Sequence, residues 1–436
     1  MKNASESLGR RDCVGCRVMR PPSEGKHSAK PTIFLASASD LFTGAPDAVC
    51  HMNPILIVGG GLAGQRCAET LRRMGYEGAV KMVCGEPRPP YDRPPLSKQL
   101  LLGSVTGESL AYRPTGWYEQ HDIDLLLGVR ATALLPGERR LSASTGGTLR
   151  YARLLIATGS RPRTLPVLAG YDNVSVLRTI DDATLLRDVL ASRPRLAVVG
   201  AGFIGQEVAA SARALGAQVT IVEAAGCPLE GVFGPRLGGW FSDLHRAEGV
   251  DVVTGTTVDR AVGNGRVERL YLSNGRMIEA DHVVVGVGVC SDTDWLAGGA
   301  LATPSGIPAD PNGRTEIDTI FAAGDAAATF DPVLGRHVPG SHWEAAGRQG
   351  MRAARTMLGL EPGPVPLTSF WTDQYGIRIH YLGRARAADK VQIDGEPTER
   401  SFTATFSRAG RPVAALLVDR VRALPAMREL IEKGAP

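Results

Sequence analysis

Two copies of one glycine-rich unit constrain the fold of this chain more than any other feature. In "PILIVGGGLAG" and again in "RLAVVGAGFIG", an apolar strand runs into a G-x-G-x-x-G turn and a helical stretch follows. The first glycine makes the tight turn, the second lets a pyrophosphate approach the backbone, and the third packs helix against strand. The glycines are Gly59, Gly61 and Gly64, then Gly200, Gly202 and Gly205, with the second unit beginning 141 residues later (200 − 59). The pattern predicts two Rossmann-like dinucleotide-binding folds in an α/β chain.

An acidic residue follows each unit where a ribose would lie. Glu86 stands 22 residues after Gly64 (86 − 64), and Glu223 stands 18 residues after Gly205 (223 − 205). A carboxylate at this distance accepts hydrogen bonds from ribose hydroxyls. Two dinucleotides in one chain indicate hydride transfer between them. One degenerate fold kept for structure is the alternative, and the intact glycines and acids disfavour it.

Two further segments indicate how the folds are connected. "LLIATGSRPR", Leu154–Arg163, is a strand that breaks at a Gly-Ser pair just before the second unit begins. "TIFAAGDAA", Thr319–Ala327, is a strand ending in Gly-Asp, which could direct Asp325 at polyol hydroxyls. A chain that reaches this strand after completing the second fold has returned to the first. We therefore predict that the second fold is an insertion in the first.

Length, charge and cysteine content exclude several classes. A chain of 436 residues exceeds one typical domain, and a net charge of +4 is too small to indicate nucleic acid. No apolar run approaches the roughly 18 residues of a membrane helix. Seven scattered cysteines suit a reducing cytoplasm better than a disulfide framework. We assign no metal site, since the lone "CVGC" at Cys13–Cys16 is a weak signal. Residues 1–51 lack periodicity, so we expect them to be disordered and Met52 to be the functional start.

Eight motifs in order carry a resemblance to a known family: "GGGLAG", "YDRPPLSK", "ATGSRPR", "GAGFIGQE", "VVVGVGV", "FAAGDAA", "HWEAA" and "SFWTDQY". The chain resembles the flavin-dependent ferredoxin reductases of bacterial oxygenase systems, the family of putidaredoxin reductase and biphenyl dioxygenase ferredoxin reductase. The resemblance implies an FAD fold, an NADH fold inserted in it, and a small α+β C-terminal domain. The implied bounds are 52–165 for the first part of the FAD domain, 166–290 for the NADH domain, 291–365 for the second FAD part and 366–436 for the last domain.

The segment "PYDRPPLSKQLL", Pro90–Leu101, holds no cysteine. Disulfide reductases need a thiol over the flavin, and single-cysteine oxidases need one to hold a sulfenate. A thiol-free segment fits a flavin that passes electrons to an outside metal centre. The resemblance implies that Lys98 pairs with Glu207 beside the flavin, where an ammonium favours the reduced ring; a solvated surface lysine is the alternative. It also implies that Trp343 covers the ring and that the segment around Trp371 lies near its edge, where core filler is the alternative.

The resemblance also implies the remaining cofactor contacts. For FAD they are Ala63, Arg93, Ala131, Ala157, Thr158, Gly159, Arg161 and Asp325, and for NADH they are Ile204 and Gly288, in addition to the glycines, acids, lysine and tryptophan above. The loop "EAAGCPLE" after Glu223 offers no arginine for a 2′-phosphate, so we expect NADH rather than NADPH. Two positions depart from the family pattern, because Ala345 stands where asparagine is common and Cys227 where arginine is common.

The expected partner is a small acidic [2Fe-2S] ferredoxin, and the expected state is a monomer or weak dimer. Arg348, Arg352 and Arg355 recur at helical spacing after Trp343, which predicts one positive helix face near the electron exit. A solvated helix face without a docking role is the alternative. Two other functions stay open, a redox signalling flavoprotein similar to apoptosis-inducing factor and an NADH oxidase.

Overall fold

The structure is a computed structural model, and it describes residues 53–296, 301–331, 335–340, 342–365, 367–386 and 388–434. The expectations for residues 1–51, including the Cys13–Cys16 pair and the start at Met52, lie outside these residues. No helix in the described ranges is both long and apolar enough to cross a membrane.

The first glycine-rich unit belongs to a five-stranded parallel sheet. Its strands, in spatial order, are Ile320–Ala322, Arg153–Ile156, Ile55–Val58, Val80–Cys84 and Ile123–Leu127. The helix Leu62–Arg73 links the third and fourth of these, and the helix Thr115–Gln120 precedes the fifth. A three-stranded antiparallel sheet, Ala131–Leu135, Arg140–Ala143 and Thr148–Arg150, completes this first stretch of chain.

The second unit forms its own five-stranded parallel sheet. Its order is Asp251–Val253, Gln218–Val222, Arg195–Val199, His282–Val285 and Val174–Ser175. The accompanying helices are Ile180–Leu190, Phe203–Ala214 and Glu230–Ala247, the last interrupted at Gly234. A small antiparallel sheet, Val258–Val262, Arg269–Leu272 and Met277–Glu279, lies between the last two sheet strands in sequence. Each unit therefore has the Rossmann-like form that its glycines predicted.

The insertion of the second fold is confirmed by strand pairing. Ile320–Ala322 follows the whole second sheet in sequence but pairs in parallel with Arg153–Ile156 of the first. The chain leaves the first fold through Ser160–Pro162 and returns through Val289–Ser291, and these two short strands pair antiparallel. The returning stretch also forms a three-stranded sheet of Ile307–Ala309, Ala327–Asp331 and Arg336–Pro339.

The helix Trp343–Met357 packs on Leu62–Arg73, and small residues make the contact close. A Cβ on Gly350 would come within 2.1 Å of the Ala63 carbonyl oxygen. The predicted arginine face on this helix is wrong. Arg352 is only 8% exposed, and its guanidinium donates to the carbonyls of Pro311, Gly363 and Pro364. Spacing alone could not show which side of the helix is buried.

The C-terminal region is a five-stranded antiparallel sheet with a terminal helix. The strand order is Ser369–Gln374, Ile377–Gly383, Arg411–Val418, Ser401–Arg408 and Lys390–Glu396, and the helix is Leu424–Gly434. One face packs on Glu230–Ala247 through an aromatic cluster that includes Phe233, Phe241 and Phe402. This agrees with the predicted α+β domain. It also places the first strand of the sheet, Ser369–Gln374, against the helix Phe203–Ala214 of the second fold.

Candidate functional site

The first glycine turn has the shape of a pyrophosphate cradle. Gly59 has φ +120°, and a Cβ there would lie 2.0 Å from the Ala157 carbonyl oxygen. A Cβ on Gly64 would lie 2.1 Å from the Gly59 carbonyl oxygen. At Gly61, in contrast, no described protein atom outside its chain neighbours lies within 4 Å of that position. Since Gly61 has no side chain to cap the following helix, the first amides and the helix dipole are open to an anion.

Glu86 lies two residues after the strand Val80–Cys84 and already accepts hydrogen bonds from two side chains. Its Oε2 accepts from the Tyr91 hydroxyl at 2.6 Å, and its Oε1 accepts from the Arg93 guanidinium at 2.7 Å. The Gly128 amide donates to the Glu86 carbonyl, so the loop leading to Ala131 lies at the same end of the sheet. Glu86, Arg93 and the Ala131 loop are therefore gathered at one end, where each carboxylate oxygen keeps capacity for a ribose hydroxyl.

Asp325 lies beside the first glycine unit, as the insertion predicts. Its Oδ2 accepts from the Ser160 hydroxyl at 2.7 Å, and the Arg178 guanidinium lies 3.8 Å away. Burial lowers the pKa of Arg178. Gly324, with φ +71°, sits against Ala63 of the first helix. The Gly-Asp turn thus brings a carboxylate from the late strand to the cradle of the early one.

Residues Thr158–Arg161 run from the first glycine turn into the connection between the two folds. The Thr158 hydroxyl donates to the Asp292 carbonyl, and Gly159 has φ +79°. The Arg161 guanidinium pairs with Asp294 at 2.6 Å on the surface, and its contact with FAD stays a prediction.

The second glycine turn repeats the geometry of the first. Gly200 has φ +106°, and a Cβ there would lie 2.4 Å from the Gly286 carbonyl oxygen. A Cβ on Gly205 would come within 2.1 Å of the Gly200 carbonyl oxygen. Gly202, like Gly61, begins its helix without a side chain, and Ile204 in the first turn of that helix is exposed. Gly288, with φ +96°, lies on the return connection.

Glu223 contacts the second glycine turn directly. Its Oε2 accepts from the Ala201 amide at 2.6 Å, and its Oε1 accepts from the Ala225 amide at 2.8 Å. Backbone donors on both oxygens hold the carboxylate at the mouth of the turn. This is where an acid can meet a ribose and exclude a 2′-phosphate.

Lys98 and Glu207 form a buried ion pair between the two folds. Lys98 Nζ lies 3.0 Å from Glu207 Oε1, and the two residues are 7% and 4% exposed. The surface-lysine alternative is wrong. Asp373 Oδ2 lies 3.9 Å from the same ammonium, and the centroid of the Trp371 ring lies 5.9 Å from it. The pair is therefore surrounded by the first fold, the second fold and the C-terminal sheet.

Trp343 begins its helix with the indole turned toward the thiol-free segment. Its Nε1 donates to Asp92 Oδ1 at 2.6 Å and approaches the Tyr112 hydroxyl at 3.2 Å. Its ring meets Trp371 edge to face, with centroids 5.3 Å apart. Trp371 is half-buried, packs against Trp343 and lies with its ring facing the Lys98 ammonium, so core filler does not describe it.

The cysteines nearest the first glycine unit are unsuited to redox chemistry. Cys67 lies on the first helix and Cys84 on the second strand, as predicted, and both are buried free thiols. Burial raises the pKa of Cys67 strongly and that of Cys84 to about 12. Such thiols stay protonated and are poor nucleophiles.

Several residues of the site were missed in the sequence. Asp92, Ser97, Thr372 and Asp373 stand inside quoted motifs, so the motifs could have indicated them. Tyr112 and Arg178 belong to no motif, and only the tertiary fold brings them to the site.

Comparison with known proteins adds independent evidence. The family described as pyridine nucleotide-disulphide oxidoreductase matches residues 53–350, and the one described as reductase C-terminal matches residues 369–436. The anthranilate 1,2-dioxygenase system ferredoxin–NAD(+) reductase component of Burkholderia cepacia is 37% identical, over 88% of this chain and 95% of the relative. Putidaredoxin reductase of Pseudomonas putida is 32% identical, over 88% and 92%.

A solved structure shares the same architecture. The covalent putidaredoxin reductase–putidaredoxin complex has a chain that matches with a TM-score of 0.85 and 32% identity, covering 88% of this chain and 94% of that one.

Proposed function

The chain belongs to the pyridine nucleotide-disulphide oxidoreductase family, among the ferredoxin–NAD(+) reductases of oxygenase systems, and on that premise we propose how its own residues serve the reaction. It is a flavoprotein oxidoreductase that transfers electrons from NAD(P)H through FAD to a ferredoxin. In the proposed assignment the first glycine unit holds FAD, the second holds NADH, and Lys98, Glu207 and Trp343 line the place where the two meet.

One observation carries the assignment of the reaction centre. The Lys98–Glu207 pair is buried where the two nucleotide folds and the C-terminal sheet converge. An ammonium kept out of water acts on nearby charge more strongly than an exposed one. The Glu207 carboxylate, 3.0 Å away, holds the ammonium in place. With no cysteine in the segment that supplies Lys98, electrons are proposed to leave to an external acceptor and not to a thiol.

Each side chain has a role in binding or orientation. Bound FAD supplies the hydride acceptor and divides the electron pair for one-electron carriers. The open amides after Gly61 and Gly202 bind the two pyrophosphates, and Asp325 accepts from ribityl hydroxyls. Trp343, anchored on Asp92, excludes water from one side of the ring. Position and orientation supply most of what the protein contributes to hydride transfer.

We propose that NADH is preferred over NADPH because of Glu223. Its carboxylate is fixed by two backbone amides and would repel a 2′-phosphate. Glu223→Ala should narrow the ratio of kcat/KM for NADH over NADPH by roughly tenfold. Glu230→Ala is the matched control, since Glu230 caps the Gly226 amide in the same loop. Equal kcat/KM values for the two nucleotides in the unaltered enzyme would contradict the preference.

The proposed partner is a small acidic [2Fe-2S] ferredoxin. The residues from Thr368 to the C-terminus include eleven Lys and Arg and eight Asp and Glu, an excess of three positive charges. A positive surface steers an acidic carrier, and salt weakens that steering over about 8 Å at physiological ionic strength. We further propose a monomer or weak dimer in the cytoplasm, which suits the free thiols of the described cysteines.

The test is NADH-driven, ferredoxin-dependent reduction of cytochrome c at rising salt, with ferricyanide as the small-molecule control. The ferredoxin rate should fall with salt while the ferricyanide rate stays nearly constant. Equal responses would contradict electrostatic docking. Slow turnover with every acidic ferredoxin would favour a signalling role, and rapid oxygen consumption with NADH alone would favour an oxidase. The buried Cys67 and Cys84 thiols make the oxidase the weaker alternative.

A further inference from the structure

The Glu207 carboxylate has a third donor that lies outside both nucleotide folds. Lys98 Nζ and the Thr372 hydroxyl both donate to Oε1, at 3.0 and 2.7 Å, and the Ser97 hydroxyl donates to Oε2 at 2.5 Å. Thr372 is 1% exposed and comes from the edge strand of the C-terminal sheet. A buried carboxylate is stabilised only when its oxygens are bonded, so each donor matters for where Glu207 sits.

The hydroxyl of Thr372 is itself oriented. Gln374 Nε2 donates to its oxygen at 3.3 Å, so the single hydroxyl proton is directed to Glu207. The strand backbone is fixed by pairing with Ile377–Gly383, in which Thr372 lies opposite Ile379. The C-terminal sheet thus presents one fixed donor to a carboxylate of the second fold, which in turn holds a lysine of the first.

We infer that Thr372 is a positioning residue for hydride transfer, acting through Glu207 on the Lys98 ammonium. This rests on the proposed placement of Lys98 beside the flavin. The hydroxyl shares the negative charge of Glu207 and fixes the carboxylate between Ser97 and Lys98. Without it, Glu207 is free to shift, and more of its charge opposes the reduced flavin. Because Thr372 acts through Glu207, it is a positioning residue and not a catalytic one.

Two matched pairs of proteins isolate the effect of the hydroxyl. The wild type and Thr372→Val form the first pair, because valine keeps the shape of threonine. Thr372→Ser and Thr372→Ala form the second pair, because they differ only by the oxygen. Within each pair, the member without the hydroxyl should show about tenfold slower flavin reduction by NADH in stopped flow, because a hydrogen bond to a charged group is lost. NADH affinity should stay unchanged, and the midpoint potential of the bound FAD should become more negative.

Controls separate this inference from the proposals on which it rests. Thr403→Val alters another buried threonine of the same sheet and should leave rate and potential unchanged. Lys98→Ala is measured alongside. If Lys98→Ala alters both the rate of flavin reduction and the midpoint potential while the Thr372 pairs alter neither, only the proposed role of Thr372 is wrong. If Thr372→Ser is as slow as Thr372→Ala, the effect is structural packing and the inference is overturned. None of these readouts requires a ferredoxin.

Discussion

At the scale of single residues, the proposed reaction centre consists of the Lys98 ammonium and the groups that hold it. Lys98 has Glu207 at 3.0 Å, Asp373 at 3.9 Å and the face of Trp371 beyond them. Two carboxylates hold this buried ammonium in place, so its positive charge can stabilise negative charge that develops nearby.

Lys98→Ala should therefore slow flavin reduction by NADH about a hundredfold while changing NADH affinity much less. Stopped-flow absorbance measures the rate, and the concentration dependence gives the affinity. Lys81→Ala is the control, because Lys81 pairs with Asp124 at the surface of the same fold. An unchanged rate at full FAD content would remove Lys98 from the reaction.

The motifs led to Lys98 and Glu207 but not to the full set of contacts around them. "YDRPPLSK" and "GAGFIGQE" named both partners of the pair, since family resemblance preserves such pairs. The Thr372–Glu207 contact joins residues 165 apart in sequence, and no local periodicity reports a hydrogen bond at that separation. For Arg161 the FAD contact stays a prediction, and its side chain pairs with Asp294 at the surface.

At the scale of elements, the glycines of the first strand–turn–helix unit serve two different purposes. One is required for the turn to form, and another is required only for the proposed ligand to bind. Gly64 is required by the turn itself, since its Cβ would strike the Gly59 carbonyl at 2.1 Å. Gly61 meets no such obstacle among the described residues, and its φ of −83° suits any residue.

Gly61→Ala should therefore fold normally yet bind FAD more weakly, because its new methyl group would occupy the place proposed for the pyrophosphate. The FAD-to-protein ratio and the melting temperature of the apoprotein measure the two effects. Gly116→Ala, another site where a Cβ has open space, is the control. A fully loaded Gly61→Ala enzyme would place the pyrophosphate elsewhere.

The helix Trp343–Met357 gives a second prediction at this scale. Burial lowers the pKa of Arg352, whose guanidinium bonds the carbonyls of two loops. Arg352→Met should lower the free energy of unfolding by about 2–4 kcal/mol, since buried acceptors lose their donor. Arg348→Met, which removes only an i,i+4 pair with Glu344, should cost less than about 1 kcal/mol. Denaturant titrations compare them, and equal losses would contradict the assigned role of Arg352.

At the scale of the whole molecule, three histidines make stability depend on pH. Burial lowers the pKa of His245, His282 and His342 from 6.5 to about 4. Between those values the unfolded chain binds protons that the native chain does not. Stability should therefore fall as pH drops from about 6.5 toward 4, by about 1.4 kcal/mol per pH unit for each histidine.

Unfolding free energies between pH 5 and 6 measure that slope above the range in which most carboxylates titrate. His282→Gln should reduce this slope by the contribution of one histidine. His282 suits the test because its ring bonds Ser175 within the second fold and is not among the proposed cofactor contacts. A slope unchanged in this variant would show that His282 is protonated in the native state.

The fold class was predictable from the sequence because glycine spacing and strand order are local signals. The insertion was predictable for the same reason, since the "FAAGDAA" strand comes after the second unit and must return to the first. The packing of the C-terminal sheet on Glu230–Ala247 was not predictable, because apolar periodicity marks a buried face without naming what covers it.

The late pairing of Ile320–Ala322 with Arg153–Ile156 also sets an order of events during synthesis. As the chain leaves the ribosome, every strand of the second fold emerges before the strand that completes the first. Domains fold as units from the N-terminal side when their residues are available, and pairings between distant segments are slow. The inserted unit should thus be the first to become native on the nascent chain. With Asp325 in its proposed role as an FAD contact, flavin binding has to wait until this residue is translated, so the fold that began first is the last to mature.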